Sequence, residues 1–211
     1  MLLAASGAGL AQAGGKSRPR AGSKSATQAS ENRAPTQPSS PFPRIAYDER
    51  AWKPFESSDG GFTISFPGKP GFQTQPVQTA LAPLVNHIHG LDIGVAFFAV
   101  AYADVPVSVS LTDRELINRA LDAGRDRALA GTGDKLISEA PLTLDGYTGR
   151  YVLSSHEGGL THSQSYVVGN RLYQLDVVSD DYRNSPAEDQ KFFADLVKRF
   201  FNSFKLTRKA Y

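Results

Sequence analysis

The segment IGVAFFAVAYA, residues 93–103, limits the possible folds more than any other part of the sequence, because both of its alternating sets of side chains are apolar. A half-buried strand alternates apolar and polar residues, whereas a strand that is apolar throughout must be covered on both faces. One set is Ile93, Val95, Phe97 and Ala99, and the other is Ala96, Phe98, Val100 and Tyr102. The rest of the domain must therefore supply two covering layers.

Several strands are predicted before this segment. Phe62, Ile64 and Phe66 alternate with polar residues, which is typical of a strand with one buried face. Pro67 and Pro70 then end the strand, because proline donates no hydrogen bond to a sheet. Residues 71–81 and 84–90 are predicted to form a strand pair.

Two helices are predicted after the apolar segment at 93–103. Thr112-Asp113-Arg114-Glu115 is a capping box, and apolar residues at helical spacing follow it as far as Gly131-Thr132-Gly133. Ser185-Pro186-Ala187-Glu188 repeats the pattern before a helix with phenylalanines on one face. The ending at 202–206 is expected to dock, with Phe204 and Leu206 buried.

Four strands are predicted between the helices, near residues 135–143, 146–155, 161–168 and 171–179. Asp145-Gly146, Gly158-Gly159 and Gly169-Asn170 separate them, and such dipeptides favour tight hairpins. The fold class predicted from these elements is α+β, with an antiparallel β-sheet sandwiched between helices.

The first 44 residues are expected to lie outside this fold. Residues 1–13 end in Ala11-Gln12-Ala13 and predict a signal peptide. Its missing basic start is expected to reflect either a true start upstream of Met1 or a run that is only a flexible alanine-rich leader. This run is too short and too often interrupted by glycine to span a membrane. Residues 14–44 are rich in Ser, Pro and basic residues and predict a disordered linker with weak affinity for anionic surfaces. A single domain is expected over 45–211, in an exported protein.

Composition excludes several classes of function. There is no cysteine, so disulfides, thiolate metal sites and cysteine nucleophiles are absent. The net charge of +2 arises from the front of the chain, where residues 14–50 hold seven Lys and Arg against three Asp and Glu. The remainder is acidic, which argues against a nucleic-acid partner.

The chain resembles the PsbP-like domain family. The resemblance rests on GGFTISFPGKP at 60–70, AVAYADVP at 99–106, GNRLYQLDVV at 169–178 and FFNSFKL at 200–206. It implies an α-β-α sandwich that acts as an accessory or binding module in the periplasm, the thylakoid lumen or the extracellular space. These motifs are structural, and the resemblance transfers no metal-binding or partner-binding residue to this chain.

The best candidate for a metal site is His87 and His89, with Asp92 in the adjacent turn. Residues i and i+2 of a strand share a face, and two imidazoles with a carboxylate provide zinc ligands. The alternative is a polar strand face in which only Ile88 points inward.

Other candidates have weaker support. His156 and His162 flank a hairpin turn, and Ser154 and Ser155 precede His156, but no nucleophile motif accompanies them. Asp176, Asp180 and Asp181 lack the ligand spacing of a calcium loop. Tyrosines of the meander are expected either to pack under a helix or to line a groove, with packing preferred: Tyr147, Tyr151, Tyr166 and Tyr173.

The function expected from these observations is that of a non-catalytic exported accessory domain that binds a protein partner or a larger assembly, with no cofactor. The alternative is a small-ligand carrier with an apolar pocket between sheet and helices.

Overall fold

The computed structural model describes residues 40–78, 83–106 and 113–207. A 3-10 turn at Glu49–Ala51 precedes the first strand. The strands and helices that follow are β1 (Lys53–Ser57), β2 (Phe62–Phe66), β3 (Gly71–Gln78), β4 (Pro83–Asp92), β5 (Ala96–Asp104), α1 (Arg114–Thr132), β6 (Lys135–Leu144), β7 (Tyr147–His156), β8 (Gly159–Val168), β9 (Arg171–Asp180), α2 (Ala187–Asn202) and β10 (Lys205–Leu206).

Seven strands form one sheet in the order β3-β4-β5-β9-β8-β7-β6, and every neighbouring pair is antiparallel. The predicted meander is confirmed in β6 to β9. The strand that was apolar on both faces is β5, an interior strand between β4 and β9. It begins at Ala96 rather than residue 93, because Gly94 adopts a φ of 84° in the turn before it.

One side of this sheet, here called the α2 face, carries Phe98, Val100 and Tyr102 of β5. Helix α2 and a second, three-stranded sheet, β1-β2-β10, cover it. The predicted alternation in β2 is confirmed, since Phe62, Ile64 and Phe66 are buried in this core. The ending docks as expected: Phe204 is buried, and Leu206, which is partly buried, pairs with Phe62 across the small sheet.

The opposite side, the α1 face, carries Ala99, Ala101 and Ala103 of β5. Leu121 of α1 packs there against Val167 and Leu172. The α+β class is correct, but the expected sheet sandwiched between helices is only part of the architecture. Each helix covers part of one face, and the small sheet completes the cover on the α2 face.

Both predicted helix starts differ in detail from the structure. The N-cap of α1 is Asp113, whose carboxylate accepts hydrogen bonds from the backbone N–H groups of Glu115 and Leu116. Thr112, the predicted cap, lies outside the described residues. Helix α2 begins after Pro186 without a side-chain cap. The predicted stop of α1 is confirmed, because Gly133 forms a left-handed cap with a φ of 73°.

Contacts of the domain begin before the expected boundary at residue 45. Phe42 packs against Phe97 with ring centroids 5.3 Å apart. The carbonyl of Pro43 accepts a hydrogen bond from the backbone N–H of Asp92, and Arg44 lies 3.6 Å from the Asp92 carboxylate. The predicted signal peptide at 1–13 and most of the predicted linker at 14–44 lie outside the described residues. In the part of the chain that is described, no helix is both long and apolar enough to cross a membrane.

Candidate functional site

The candidate site is a patch on the α2 face, at the edge of the large sheet where the small sheet and α2 end. It consists of Phe72, Thr74 and Pro76 of β3 with Val85 and His87 of β4, and is called the β3–β4 surface below. Its two large apolar side chains are exposed, Phe72 to 56% and Val85 to 48%. Apolar groups at such exposure on a sheet edge indicate a contact surface.

A row of stacked rings joins this surface to the middle of the sheet. The rings of Phe72 and His87 are 6.1 Å apart with an interplanar angle of 24°. His87 lies flat on Tyr102, 4.7 Å between centroids at 9°, and the Arg171 guanidinium sits 4.9 Å from the Tyr102 ring centre. These side chains come from β3, β4, β5 and β9. The exposed ring of Phe72 is therefore held by a continuous series of ring and cation–π contacts that reaches the middle of the sheet.

His89 supports the surface from below. It is buried, and its ring packs between Phe55, 4.8 Å away, and Phe72, 4.9 Å away. Burial, with a smaller effect from nearby His87, lowers the pKa of His89 to about 4. His89 is therefore neutral at pH 7, and it belongs to the core rather than to a polar strand face.

The three residues of the predicted metal site do not converge. His87 and His89 share the α2 face, as the strand period predicts. Asp92 lies on the α1 face, where it pairs with Arg44 and accepts a hydrogen bond from the backbone N–H of Gly94 at 2.7 Å. Among the residues the structure describes, no group of three or more His, Asp or Glu side chains is placed to hold a metal ion.

Charge separates the two edges of the large sheet. Residues 71–91 contain no Asp, Glu, Lys or Arg, although charged residues make up 21% of the chain. Strand β6, at the other edge, carries Lys135 and Glu139 and a register shift between Leu136 and Ser138. Charges and bulges protect an edge strand from pairing, so β6 is called the guarded edge. Strand β3 has neither and is called the open edge, although Pro76 removes one N–H donor from it.

The serine and histidine candidates on the α1 face form no nucleophile–base pair. The hydroxyl of Ser154 donates to Asp134 at 2.8 Å, and His156 lies 3.8 Å from the same carboxylate. The carboxylate thus stands between the serine and the imidazole, an order in which no base takes the serine proton.

His162 lies on the other face of the sheet from His156, so the two histidines do not meet. The Tyr151 hydroxyl bonds its Nδ1 at 2.7 Å, and the Tyr182 hydroxyl bonds its Nε2 at 2.9 Å. Burial lowers the pKa of His162 to about 4. Its two ring nitrogens are both occupied, which is the arrangement of a structural histidine.

The aspartates proposed for a cation do not cluster either. Asp176 is buried on the α1 face, where Ser163 and Gln174 donate to it. Asp181 pairs with Arg183 at 2.6 Å, and Asp180 is exposed at the end of β9. The predicted packing of the meander tyrosines agrees with the structure: Tyr166 and Tyr173 are buried in the core, with Tyr147 and Tyr151 packed against it.

Sequence reasoning missed Phe72 and Arg171. Arg171 pairs with Asp104 and donates to the backbone carbonyls of Asp59 and Gly60, contacts between residues that are far apart in the chain. Phe72 had a usable signal, namely one aromatic residue in a long stretch without charge. An edge strand that lies within such an uncharged stretch has no charged side chains to prevent pairing with another strand.

No family model matches the chain, and no curated protein matches it. Solved structures do. Cyanobacterial PsbP (CyanoP) from Synechocystis sp. PCC 6803 aligns with a TM-score of 0.45 and 14% identity, over 74% of this chain and 92% of that one. PA94, a Pseudomonas aeruginosa protein of unknown function, aligns with a TM-score of 0.36 and 9% identity, over 69% and 93%. At these values neither likeness assigns a role to any residue here.

Proposed function

We propose that this chain is a non-catalytic, exported accessory domain that binds a protein partner through the β3–β4 surface. The observation that carries the proposal is the exposed, charge-free patch around Phe72 on an unguarded sheet edge. Export rests on the Ala11-Gln12-Ala13 motif.

A protein partner suits the chemistry of this surface. The patch combines apolar side chains with an aromatic row, and aromatic residues are enriched where proteins bind one another. The Phe72 ring already packs against His87 and His89, so less side-chain freedom is lost on binding. The polar Thr74 and His87 lie between the apolar groups and provide hydrogen-bonding positions.

A non-catalytic role fits the environments of the candidate catalytic residues. Ser154 donates to a carboxylate rather than to a base, and both nitrogens of His162 are bonded to tyrosines. The small-ligand alternative needs space between the sheet and α2. Large side chains with no exposed surface fill that layer instead: Phe62, Phe66, Phe98 and Phe200.

The test compares two matched double variants of a tagged full chain in its native host. Phe72→Ser with Val85→Ser removes the apolar part of the β3–β4 surface. Leu136→Ser with Ile137→Ser removes two comparably exposed residues, 44% and 38%, from the guarded edge. We expect a stoichiometric protein to co-purify with wild type and with the β6 variant, and to be lost from the β3–β4 variant.

Two results would count against the proposal. Equal retention of the partner by both variants would place the interface elsewhere. A retained small molecule in place of a protein would favour the ligand carrier. Circular dichroism of both variants confirms that the fold is intact before binding is compared.

A further inference from the structure

The open edge of β3 has a pattern of hydrogen-bonding groups that a second copy of the same strand can satisfy. No described strand pairs with this edge, and the register of β3 with β4 is unbroken over eight pairs. The free edge therefore has no bulge and no charged side chain, which favours strand addition.

Pro76 shows which backbone groups of β3 point outward. Proline has no N–H, so within a sheet it occupies positions whose nitrogen faces away from the neighbouring strand. The position of Gln78, two residues further on, is consistent with this, because its carbonyl accepts a hydrogen bond from Arg127, a side chain outside the sheet. Because the pattern alternates, the outward groups are those of Phe72, Thr74, Pro76 and Gln78, and the Gln78 carbonyl is already bonded to Arg127.

Over residues 72–76 the outward groups comprise two N–H donors, from Phe72 and Thr74, and three carbonyl acceptors, from Phe72, Thr74 and Pro76. We propose that two copies of this chain pair antiparallel through β3, with Thr74 opposite Thr74 of the second copy on a two-fold axis. The two large sheets then continue into one another across the axis.

This register uses both outward donors of residues 72–76. The two Thr74 residues exchange both of their backbone hydrogen bonds, and each Phe72 N–H donates to the Pro76 carbonyl of the second copy. Pro76 of one copy lies opposite Phe72 of the other and has no N–H to donate to the Phe72 carbonyl. The Phe72 carbonyl is therefore the one group of this pair that lacks a partner, once in each copy. The sequence of the strand is thus self-complementary.

Side chains match in the same register. Phe72 of one copy lies beside Pro76 of the other, with Val85 next in the row, because Pro76 pairs with Val85 within each chain. Among the described residues Phe72 and Val85 are the most exposed large apolar side chains, and this register brings them into one row. The absence of charge over 71–91 removes like-charge repulsion, which two copies of any charged edge would meet.

The inference rests on the proposed function, since it assigns a partner to the same β3–β4 surface. The test uses position 74, because Thr74 of one copy lies opposite Thr74 of the second copy on the two-fold axis. We expect sedimentation to give twice the monomer mass for the full chain, and the single-chain mass for Thr74→Lys and for Thr74→Glu separately. An equimolar mixture of the two variants should return to the double mass, because Lys then opposes Glu.

The uncharged variant Thr74→Val is the control, and it keeps the backbone groups and the dimer. The chain has no cysteine, so Thr74→Cys provides a single thiol for a register test. Facing residues of a hydrogen-bonded antiparallel pair have Cα atoms about 5.5 Å apart, a distance that a disulfide spans. We expect rapid cross-linking of Thr74→Cys and none of Ile137→Cys on β6.

A monomeric wild-type chain would overturn the inference, and so would Lys and Glu variants that fail to recombine. Neither result affects the proposed function if the Phe72 and Val85 variant still loses its protein partner. Conversely, a dimer that captures no other protein would leave the inference standing, with the second copy as the partner of the β3–β4 surface, and would refute an accessory role toward a different protein.

Discussion

The guanidinium group of Arg171 lies over the ring of Tyr102, 4.9 Å from its centre, and at the same time forms a two-point ion pair with Asp104. Its third set of contacts, to the backbone carbonyls of Asp59 and Gly60, reaches the turn between β1 and β2. One side chain of β9 therefore connects the large sheet, the aromatic row and the small sheet.

We predict that Arg171→Lys lowers the free energy of unfolding by about 1–3 kcal/mol, because an ammonium group cannot make the planar, forked set of contacts. Denaturant unfolding of the variant checks the value. Lys191→Arg is the control, since Lys191 pairs with Asp195 on the exposed side of α2. An Arg171→Lys midpoint equal to that of wild type would show that the turn is held by other contacts, such as the Tyr173 hydroxyl on Gly60.

Local patterns in the sequence were enough to predict most of the elements. Alternation in Phe62, Ile64 and Phe66 predicts which side of β2 is buried, because the strand period is two whatever the strand packs against. Asp145-Gly146 predicts a tight hairpin, since both residues adopt positive φ there. The pairing of β2 with β10 depends on residues more than a hundred positions apart, which no local pattern specifies.

The candidate site was less predictable than the fold, and the histidines show why. His87 and His89 share a face, as the strand period requires, but the burial of His89 depends on Phe55 of β1, which a linear sequence does not place there. Asp92 was assigned to the same site because it is near in sequence. It lies an odd number of positions from both His87 and His89, which puts it on the opposite face of the strand.

A second prediction concerns His162 and pH. The pKa of His162 is about 4 in the folded chain and 6.5 ordinarily, so between these values the unfolded chain binds more protons. Its contribution to stability is complete above pH 6.5 and is lost as the pH falls toward 4, by roughly 2–3 kcal/mol. His162→Gln keeps a donor and an acceptor for the two tyrosines but does not titrate.

Denaturant unfolding at pH 7 and at pH 4.5 tests this. We expect the stability of His162→Gln to fall less than that of wild type over this interval. His89 shifts in the same direction and remains in both proteins, so the difference between them isolates His162. Parallel pH profiles for the two proteins would mean that folding does not lower the pKa of His162.

The pKa of Asp176 is shifted so that the group costs stability at neutral pH, whereas the shift of His162 contributes stability there. Burial raises its pKa to about 6 from an ordinary 3.8, despite hydrogen bonds from Ser163 and Gln174. The folded chain binds more protons between these values, so this carboxylate destabilises the fold above pH 6, and the penalty is relieved as the pH falls toward 3.8.

Asp176→Asn should therefore stabilise the protein at pH 8 by about 1–2 kcal/mol. The new side-chain amide replaces a buried charge and offers a donor to the Gln174 carbonyl oxygen, which has no hydrogen-bond partner among the described residues. The gain should shrink when unfolding is repeated at pH 5. A variant less stable than wild type at pH 8 would indicate that the charge itself is needed by the fold.

The last prediction concerns the start of the domain. Phe42 packs on Phe97 and fills the space above Gly90, where an added Cβ would lie 2.8 Å from the Phe42 ring. Since Phe42 is only partly buried, we expect Phe42→Ala in the full chain to lower the free energy of unfolding by about 1–2 kcal/mol. The neighbouring exposed Pro41→Ala is the control and should leave stability unchanged.

Two truncations extend the same test. A chain that begins at residue 45 lacks the Phe42 ring, the Pro43 carbonyl bonded to the Asp92 N–H, and the Arg44 ion pair, whereas a chain that begins at residue 40 keeps all three. We expect the shorter chain to melt at a lower temperature than the longer one. Because Arg44 is exposed, most of the loss should come from the ring and the backbone hydrogen bond rather than from the ion pair. Equal melting temperatures would place the true start of the domain at residue 45, and Phe42 would then be a contact without energetic weight.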